Sequence, residues 1–283
     1  MIIFKKAAAL HQYITSLKQQ NKTIGFVPTM GALHLGHISL IEASKEQCDI
    51  TVCSIFINPT QFNDPKDFEK YPVTIEQDIF LLTQHRAHIL FLPSVQEIYP
   101  VGSSNLPYYE LGELENIFEG KYRPNHFQGV CQVVDRLLAI VQPNRLFLGQ
   151  KDYQQCMVLE KLIELKHLPV EISIQSTTRE NDGLAMSSRN MRLSAEGRRK
   201  AVALYQTLSY IKEHFLEQSI SSLLADASNT LLIAGFEQID YFAIADAKTL
   251  QPINISSSLT DLVVLGAAFI DGVRLIDNML LSP

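Results

Sequence analysis

Two histidines three residues apart, His34 and His37, stand in the segment VPTMGALHLGH over residues 27–37. The apolar run before them, 23–27, predicts a short buried strand, and the run from Ile38 predicts a helix with both histidines in its first turn. Residues three apart share one helix face, so both imidazoles should point the same way. A helix N-terminus offers unpaired N–H groups and the positive end of the dipole, which favour an anion. The segment therefore predicts a phosphate or nucleotide site.

Other interpretations of this segment stay open on the residues alone. Paired histidines can bind zinc, but a catalytic zinc normally needs a third protein ligand, and the chain has no HExxH run. The histidines could also simply cap a helix. Gly31 and Gly36 would let the backbone approach a bulky ligand closely, which supports the phosphate hypothesis. A helix cap without function explains the histidines about as well as phosphate binding does.

A second polar cluster, Asn58-Pro59-Thr60-Gln61, follows the apolar run 51–57. Amide side chains donate and accept hydrogen bonds, so they suit a hydroxylated organic acid better than a bare cation. The alternative is an ordinary Asn-Pro turn. Such a turn does not require Gln61, which favours contact with a ligand.

A third cluster, GQKDYQQ, follows the apolar run 145–149. Gly149 keeps the backbone accessible, Lys151 adds a positive charge, and Asp152 can cap the next helix. Gln155 lies three residues beyond Asp152 on the same helix face. Taken alone, Lys151 is better explained as a solvated surface lysine.

The loop 178–190 carries Ser187, Ser188 and Arg189. Two hydroxyls and a guanidinium are suited to phosphate oxygens. Gly183 in the same loop predicts a mobile segment that closes over a ligand, although an ordinary flexible surface loop would look alike. Together the clusters lack a Ser-His-Asp set, a Walker lysine motif and a GxGxxG run, and they fit phosphoryl or adenylyl transfer by positioning and charge stabilisation.

Alternating elements should position these clusters. Strand-length apolar runs at 23–27, 51–57, 88–93, 145–149 and 170–176 are separated by helical patterns at 38–48, 74–86, 128–141 and 152–167. Almost wholly apolar strands between helices predict a doubly wound parallel α/β fold that is Rossmann-like. Ligands in such folds lie at the carboxyl ends of the strands, where these polar clusters fall.

The rest of the chain predicts a smaller α+β domain, giving domains 1–178 and 179–283. Amphipathic helices are expected at 194–217 and 219–235, and a loop at 254–258. The apolar runs 239–246, 262–270 and 273–280 suggest two or three strands.

Composition limits the classes of function. The 283 residues are 46% hydrophobic and 19% charged, as in ordinary globular proteins. A net charge of −6 argues against general nucleic-acid binding. The four cysteines show no CxxC spacing, which suggests buried thiols in a reducing compartment. We find no signal-peptide pattern and no spanning segment, so a cytoplasmic location with no membrane partner is expected.

Several segments together resemble one family. FVPTMGALHLGH, SIFINPTQF, LGQKDYQQ, RENDGLAMSSRN and RLIDN occur in the order typical of pantoate–β-alanine ligases, within the HIGH-motif nucleotidylyltransferase superfamily. HLGH marks only the superfamily, whereas NPTQF, KDYQQ and DGLAMSSRN, together in this order, are highly specific to the ligases. The resemblance runs essentially from end to end.

The resemblance implies an AMP-forming ligase that joins pantoate to β-alanine through a pantoyl adenylate, with ATP as co-substrate, Mg²⁺ and a homodimeric state. It assigns catalytic roles to His34, His37, Lys151 and Arg189. Gln61 would contact pantoate and β-alanine, and Gln155 would contact pantoate. Asn58 would also bind substrate, and Arg123 would help to bind pyrophosphate. The implied ATP-binding residues are Met30, Gly31, Ala32, Leu33, His34, Leu35, Gly36, His37, Gly149, Gln150, Lys151, Asp152, Thr178, Met186, Ser187, Ser188 and Arg189.

Three positions depart from the family pattern. Gln150 replaces the usual Glu, Thr178 replaces the usual Val, and Gln77 stands beside Asp78 where a second acid is expected. The last departure argues against a metal role for that pair. Three rivals to the ligase are a nucleotidylyltransferase, an aminoacyl-tRNA synthetase and a catalytically silent nucleotide sensor. The amide clusters argue against the first and the acidic composition against the second, while Gln150 keeps the third open.

Overall fold

A computed structural model describes residues 1–63, 68–253 and 261–281. The chain divides into two compact units, the first formed by 1–149 with 155–176 and the second by 150–154 with 177–283. The loop predicted at 254–258 lies outside the described residues.

The first unit contains a six-stranded sheet in the order β1-β4-β3-β2-β5-β6. Every neighbouring pair is parallel, which confirms the predicted doubly wound α/β fold. The strands are β1 Ile2–Phe4, β2 Ile24–Thr29, β3 Ile50–Ile55, β4 Ile89–Phe91, β5 Arg145–Gly149 and β6 Glu171–Gln175.

Helices connect these strands, as the alternating pattern predicts. They are α1 Ala7–Gln19, α2 Leu35–Gln47, α3 Ile75–Gln84, α4 Val95–Ile98, α5 Phe118–Tyr122, α6 His126–Val141 and α7 Tyr153–Leu165, the last belonging to this unit from residue 155 onward.

The sheet is buried on both faces at its centre, with Phe26, Phe91 and Phe147 fully enclosed. The edge strand β1 is partly exposed, and sequence patterning did not predict it or α1. Three residues are too few to display a strand period, which explains the omission of β1.

Strand β2 lies at the point where the direction of the sheet order reverses. Its neighbours are β3 on one side and β5 on the other. In open α/β sheets the ligand crevice lies outside the carboxyl ends of the strands at this switch point. The carboxyl ends of β2, β3 and β5 therefore lie at the same edge of the sheet.

The second unit is a small α+β structure. An antiparallel sheet of β7 Gln238–Asp246, β8 Leu262–Ile270 and β9 Val273–Leu280 is accompanied by α8 Ala195–Lys200, α9 Val202–His214 and α10 Ile220–Ala234. Apolar residues of α9 and α10, including Leu204, Leu208 and Leu231, form one core with Ile244 and Val264 of the sheet.

The single helix predicted over 194–217 is wrong. The segment forms two helices, α8 and α9, separated at Ala201. Leu204 donates its N–H to the carbonyl of Ala201, three residues earlier, so the backbone tightens locally into a 3₁₀ turn. Helix α9 keeps the expected apolar face, whereas α8 buries only Gly197. Hydrophobic periodicity alone did not reveal this break.

Two further findings concern the whole described chain. None of its helices combines the length and apolar character that a membrane crossing needs. All four cysteines are free thiols, and Cys53, Cys131 and Cys156 are buried.

Candidate functional site

The two histidines after β2 form a reciprocal cap on helix α2. The Gly36 N–H donates to Nδ1 of His34 at 3.2 Å, and the His34 N–H donates to Nδ1 of His37 at 3.3 Å. The imidazole centroids lie 4.1 Å apart. The helix begins at Leu35, three residues earlier than predicted, because this cap satisfies the first N–H groups.

The cap also fixes where each imidazole carries its proton. An Nδ1 that accepts a backbone N–H has no proton of its own, so a neutral ring is protonated at Nε2. Each ring thus has an N–H donor on the side away from its cap bond, beside the positive end of the helix dipole. The histidines therefore combine helix capping with the donor chemistry of an anion site.

Asp78 on α3 shapes the turn before the histidines. Its carboxylate accepts the N–H of Ala32 at 3.0 Å and the N–H of Leu33 at 2.8 Å. The hydroxyl of Thr74 donates to the same carboxylate at 3.1 Å. Asp78 is buried and Gln77 is exposed, so these neighbours do not act as a pair. The Asp78 carboxylate therefore holds the backbone of Ala32 and Leu33, a role that the sequence patterns did not predict.

This turn has unusual backbone angles. Gly31 has φ +85° and Ala32 has φ +49°, both in the left-handed region. A side chain at Gly31 would also lie 3.0 Å from a carboxylate oxygen of Asp78. Met30, which precedes the turn, contacts Gln61 through its sulfur, with Nε2 to Sδ at 3.0 Å. The turn therefore needs both glycine at position 31 and the acceptor at position 78.

Asn58 and Gln61, after β3, are both buried. Asn58 Nδ2 donates to Gln61 Oε1 at 3.2 Å and to the Gly129 carbonyl at 3.1 Å, while Asn58 Oδ1 accepts the Tyr99 hydroxyl at 2.8 Å. The first bond orients the Gln61 amide so that its NH₂ group faces the Met30 side. Asn58 thus positions Gln61, and the hydrogen bonds of its own amide lie within the protein.

Helix α6 packs closely against the Asn58–Gln61 turn. A Cβ at Gly129 would lie 2.5 Å from the Thr60 carbonyl oxygen, so only glycine permits this close approach. His126 Nδ1 lies 2.8 Å from the Gln61 carbonyl, and its Nε2 lies 3.0 Å from Arg123 Nη1. Since Arg123 can only donate, His126 donates from Nδ1 to Gln61. Arg123 is therefore linked to this turn.

Two predicted ligand contacts of the first unit are Gly149, at the end of β5, and Gln155, in α7. Gly149 ends the strand, and its open surroundings would admit a side chain. The half-buried Gln155 side chain has no hydrogen-bond partner among the described residues. Both positions are therefore available to a ligand.

In the second unit, Lys151 is not the solvated lysine of the simplest interpretation. Its side chain is only 16% exposed, and its ammonium lies 3.7 Å from Asp152. Asn278 Nδ2 donates to the carbonyls of Gln150 and Lys151, each at 2.9 Å. The Gln150 amide donates to Asn278 Oδ1 at 3.1 Å. The uncharged residue at position 150 therefore has a structural partner.

The serine-rich segment of the second unit is built on hydrogen bonds. Thr178 accepts the Met186 N–H at 3.0 Å, and Ser187 accepts the Arg189 N–H at 3.2 Å. Arg179 and Ala185 form an isolated antiparallel bridge. The segment 178–187 is therefore a bridged turn instead of an irregular loop. Ser188 and Arg189 follow in a short 3₁₀ helix, half-buried.

Arg179 and Asp277 form a buried ion pair under this turn. The two bonds measure 2.6 and 3.0 Å, and burial raises the pKa of Asp277 while Arg179 opposes that rise. The sequence patterns assign no role to Arg179, Asp277 or Asn278, although the three residues lie in the segments RENDGLAMSSRN and RLIDN. Their contacts join positions about a hundred or more residues apart in the chain, which single-sequence patterns do not reveal.

The family model described as pantoate-beta-alanine ligase matches residues 2–280. A pantothenate synthetase from Cytophaga hutchinsonii is 41% identical over 283 residues, covering 99% of each chain. One from Leptospira biflexa is 42% identical over 286 residues and covers 100% of each.

Solved structures agree with these relatives. The crystal structure of a Thermus thermophilus pantothenate synthetase matches with a TM-score of 0.92 at 37% identity, covering 100% of both chains. A Francisella tularensis pantoate-beta-alanine ligase, complexed with beta-gamma ATP and beta-alanine, matches with a TM-score of 0.83 at 39% identity. That match covers 99% of this chain and 98% of the other.

Proposed function

Because this chain belongs to the pantoate–beta-alanine ligase family, we propose that it condenses pantoate with β-alanine at the expense of ATP. The observation that carries the proposal is the histidine pair that caps α2, together with the Asn58–Gln61 amide pair, at the switch point of the sheet. The first group suits the anionic phosphates and the second suits the hydroxylated acid. AMP and pyrophosphate are the other products.

The reaction has two displacement steps. The pantoate carboxylate forms a bond to the α-phosphorus of ATP, and the bond from that phosphorus to the pyrophosphate oxygen breaks. The β-alanine amine then forms a bond to the acyl carbon, and AMP leaves with the former carboxylate oxygen. A carboxylate is already ionised at neutral pH, so the first step needs no general base. The amine loses its proton to solvent.

We assign the charge stabilisation of the first step to four side chains. His34 and His37 would donate from Nε2 to phosphate oxygens, as their cap bonds at Nδ1 require. In the second unit, Lys151 and Arg189 would add two positive charges to the phosphates. The Arg189 guanidinium has no hydrogen-bond partner among the described residues, so it can bind an oxyanion without breaking an internal bond.

Pantoate would be oriented by Gln61 and Gln155. Gln61 Oε1 accepts from Asn58 and one N–H of its NH₂ group points to Met30 Sδ, so the second N–H would donate to a carboxylate or hydroxyl oxygen. Asn58 would act through Gln61, and Arg123 through His126, as positioning residues. The remaining predicted ATP contacts in Met30–His37, Gly149–Asp152, Thr178 and Met186–Ser188 stay part of the proposal.

Mg²⁺ fits this proposal as a partner of ATP. Within the described residues, no three His, Cys, Asp or Glu side chains converge as a metal site would require. Magnesium often binds through substrate phosphates with one or two protein carboxylates or none. When bound, it would neutralise part of the triphosphate charge. No protein ligand for it is assigned.

A homodimer and a cytoplasmic location remain predictions. Ile2 and Ile3, on the edge strand β1, are 44% and 41% exposed and apolar. Sedimentation velocity at micromolar concentration would detect the dimer as a species of twice the chain mass.

The direct test measures AMP, pyrophosphate and pantothenate from ATP and Mg²⁺, with pantoate and β-alanine added separately and together. We expect pantothenate and AMP in equal amounts only with both acids, and pantoate-dependent exchange of pyrophosphate into ATP without β-alanine. Release of ADP, or exchange that does not require pantoate, would contradict the adenylate route. Nucleotide binding without product under any combination would favour the silent sensor.

A further inference from the structure

Two adjacent residues of β9, Asp277 and Asn278, are both buried and lie outside every role assigned above. Successive residues of a strand point to opposite faces, so β9 can hold a different segment with each side chain. Both segments that they contact carry residues of the proposed phosphate site. All of these contacts lie within the second unit.

Asn278 holds the backbone that carries Lys151. Its Nδ2 donates to two consecutive carbonyls, those of Gln150 and Lys151, and its Oδ1 accepts the Gln150 amide. All its side-chain hydrogen-bonding groups are therefore directed at this short segment. Two bonds to the main chain fix the direction in which the Lys151 side chain leaves the backbone.

Asp277 holds the base of the bridged turn through Arg179. The guanidinium makes two bonds to the carboxylate, and it also donates to the Gly183 carbonyl at 3.0 Å and to the Asn278 carbonyl at 3.4 Å. The ring of Tyr205 lies under the guanidinium, 4.6 Å away. A Cβ at Gly183 would lie 2.2 Å from that ring. Arg179 is thus fixed from several sides.

From Arg179 the connection continues to the serines. Arg179 and Ala185 are bridged across the turn, and Asn190 Nδ2 donates to the Ala185 carbonyl at 3.0 Å. Met186 donates to the Thr178 carbonyl, which places Ser187 at a defined position. A shift of Arg179 would therefore be transmitted to Ser187 and Arg189.

We propose that Asp277 and Asn278 are positioning residues that hold the Lys151 backbone and the Ser187–Arg189 segment on one rigid strand. Neither residue contacts the reacting atoms. Their effect rests on the proposed function, since it is exerted through Lys151 and Arg189. Charge-assisted bonds in a buried site are short and directional, and a displacement near 1 Å of a catalytic group can cost about a hundredfold in rate.

The test compares Asn278→Ala and Asp277→Asn with a matched control, Asp240→Asn. Asp240 is also a buried carboxylate on the same sheet, bonded to an arginine, with Arg274 Nε at 2.6 Å. It has no role in the proposed site. For each variant, kcat and the KM for each substrate are measured in pantothenate formation, together with the urea midpoint of unfolding and the Kd for a non-hydrolysable ATP analogue.

We expect all three variants to unfold at lower urea concentrations. Only Asn278→Ala and Asp277→Asn should lose roughly tenfold to a hundredfold in kcat and bind the analogue more weakly, with KM for β-alanine unchanged. Should Asp277→Asn fail to fold, Arg179→Lys keeps the charge but loses the two-nitrogen geometry, and the same loss is expected.

Equal kcat and equal analogue affinity in the control and the β9 variants would overturn the proposal. If the wild-type chain makes no pantothenate, the proposed function fails. The analogue Kd then still decides whether the β9 pair positions the nucleotide-binding segments.

Discussion

In His34 and His37, one nitrogen of each ring belongs to the cap of α2, and the other carries the proton that we assign to phosphate binding. The Nδ1 atoms accept backbone N–H groups at the start of α2, and the Nε2 atoms carry the protons. Phosphate binding and helix capping were competing interpretations of the sequence. The geometry accommodates both, because they need different atoms of the same ring. Substitutions that preserve one atom can therefore separate the two roles.

Replacing His37 tests this separation. Asn at position 37 offers an acceptor near the Nδ1 position but no donor near Nε2, whereas Gln offers an amide donor near Nε2. We expect His37→Asn to keep the wild-type melting temperature and to lose about a hundredfold or more in kcat, and His37→Gln to retain more activity. Lys151→Ala should also lose about a hundredfold. Near-normal turnover in folded His37→Asn or Lys151→Ala would contradict the assigned roles.

Asp78 offers a second prediction at this scale. Asn at position 78 has one acceptor oxygen where two backbone N–H groups now find one each. A buried donor without an acceptor costs about 1–3 kcal/mol, so the free energy of unfolding should fall by that amount. The KM for ATP should rise because the turn before His34 loses its support. Urea titration and initial rates measure the two effects, with exposed Glu76→Gln on the same helix as the control.

At the scale of elements, the close approach of α6 to the Asn58–Gln61 turn is the clearest constraint. Alanine at Gly129 would collide with the Thr60 carbonyl, which is backbone and cannot rotate away. We expect Gly129→Ala to lower the free energy of unfolding by about 1–3 kcal/mol and to raise the KM for pantoate. The exposed substitution Ala139→Ser on the same helix should change neither. An unchanged KM for pantoate in Gly129→Ala would contradict the proposed effect of α6 on pantoate binding.

Strands were predictable where they are buried on both faces. The runs that became β2, β3 and β5 are almost wholly apolar, and their predicted ends differ from the observed ends by at most two residues. Strand β1 was not predictable, because its three residues include exposed positions at the sheet edge.

The residues that support the candidate site were not predictable for another reason, because they lie far along the chain from the residues that they hold. Asp78 lies 45 residues beyond Leu33, and Asn278 lies 127 beyond Lys151.

At the scale of the molecule, several surface carboxyls link stability to pH. Hydrogen bonds from Thr23 lower the pKa of Asp49 to about 2, and Arg198 lowers the pKa of Asp182. Bonds from the Thr249 backbone lower the pKa of Asp246. A carboxyl with a lower pKa in the folded state stabilises the fold above its unfolded pKa. That contribution is lost as the pH falls through the folded value.

The urea midpoint should therefore stay level from about pH 7 to 5 and fall between about pH 4 and 2. Asp49→Asn should have a lower midpoint at neutral pH and a smaller drop in acid, because its contribution is absent at every pH. A midpoint that keeps its neutral value down to pH 2 in the wild type would contradict this linkage.

The position of β2 between β3 and β5 also governs how the chain can be made. Gly25 pairs with Thr51 on one side and with Arg145 on the other. At about 5–20 residues per second, a ribosome completes β5 roughly 6–24 s after it completes β2. Until then one edge of β2 has no strand beside it. The seam next to the histidine pair therefore closes late in synthesis, and slowed translation before residue 145 would prolong the period in which a nascent chain can aggregate.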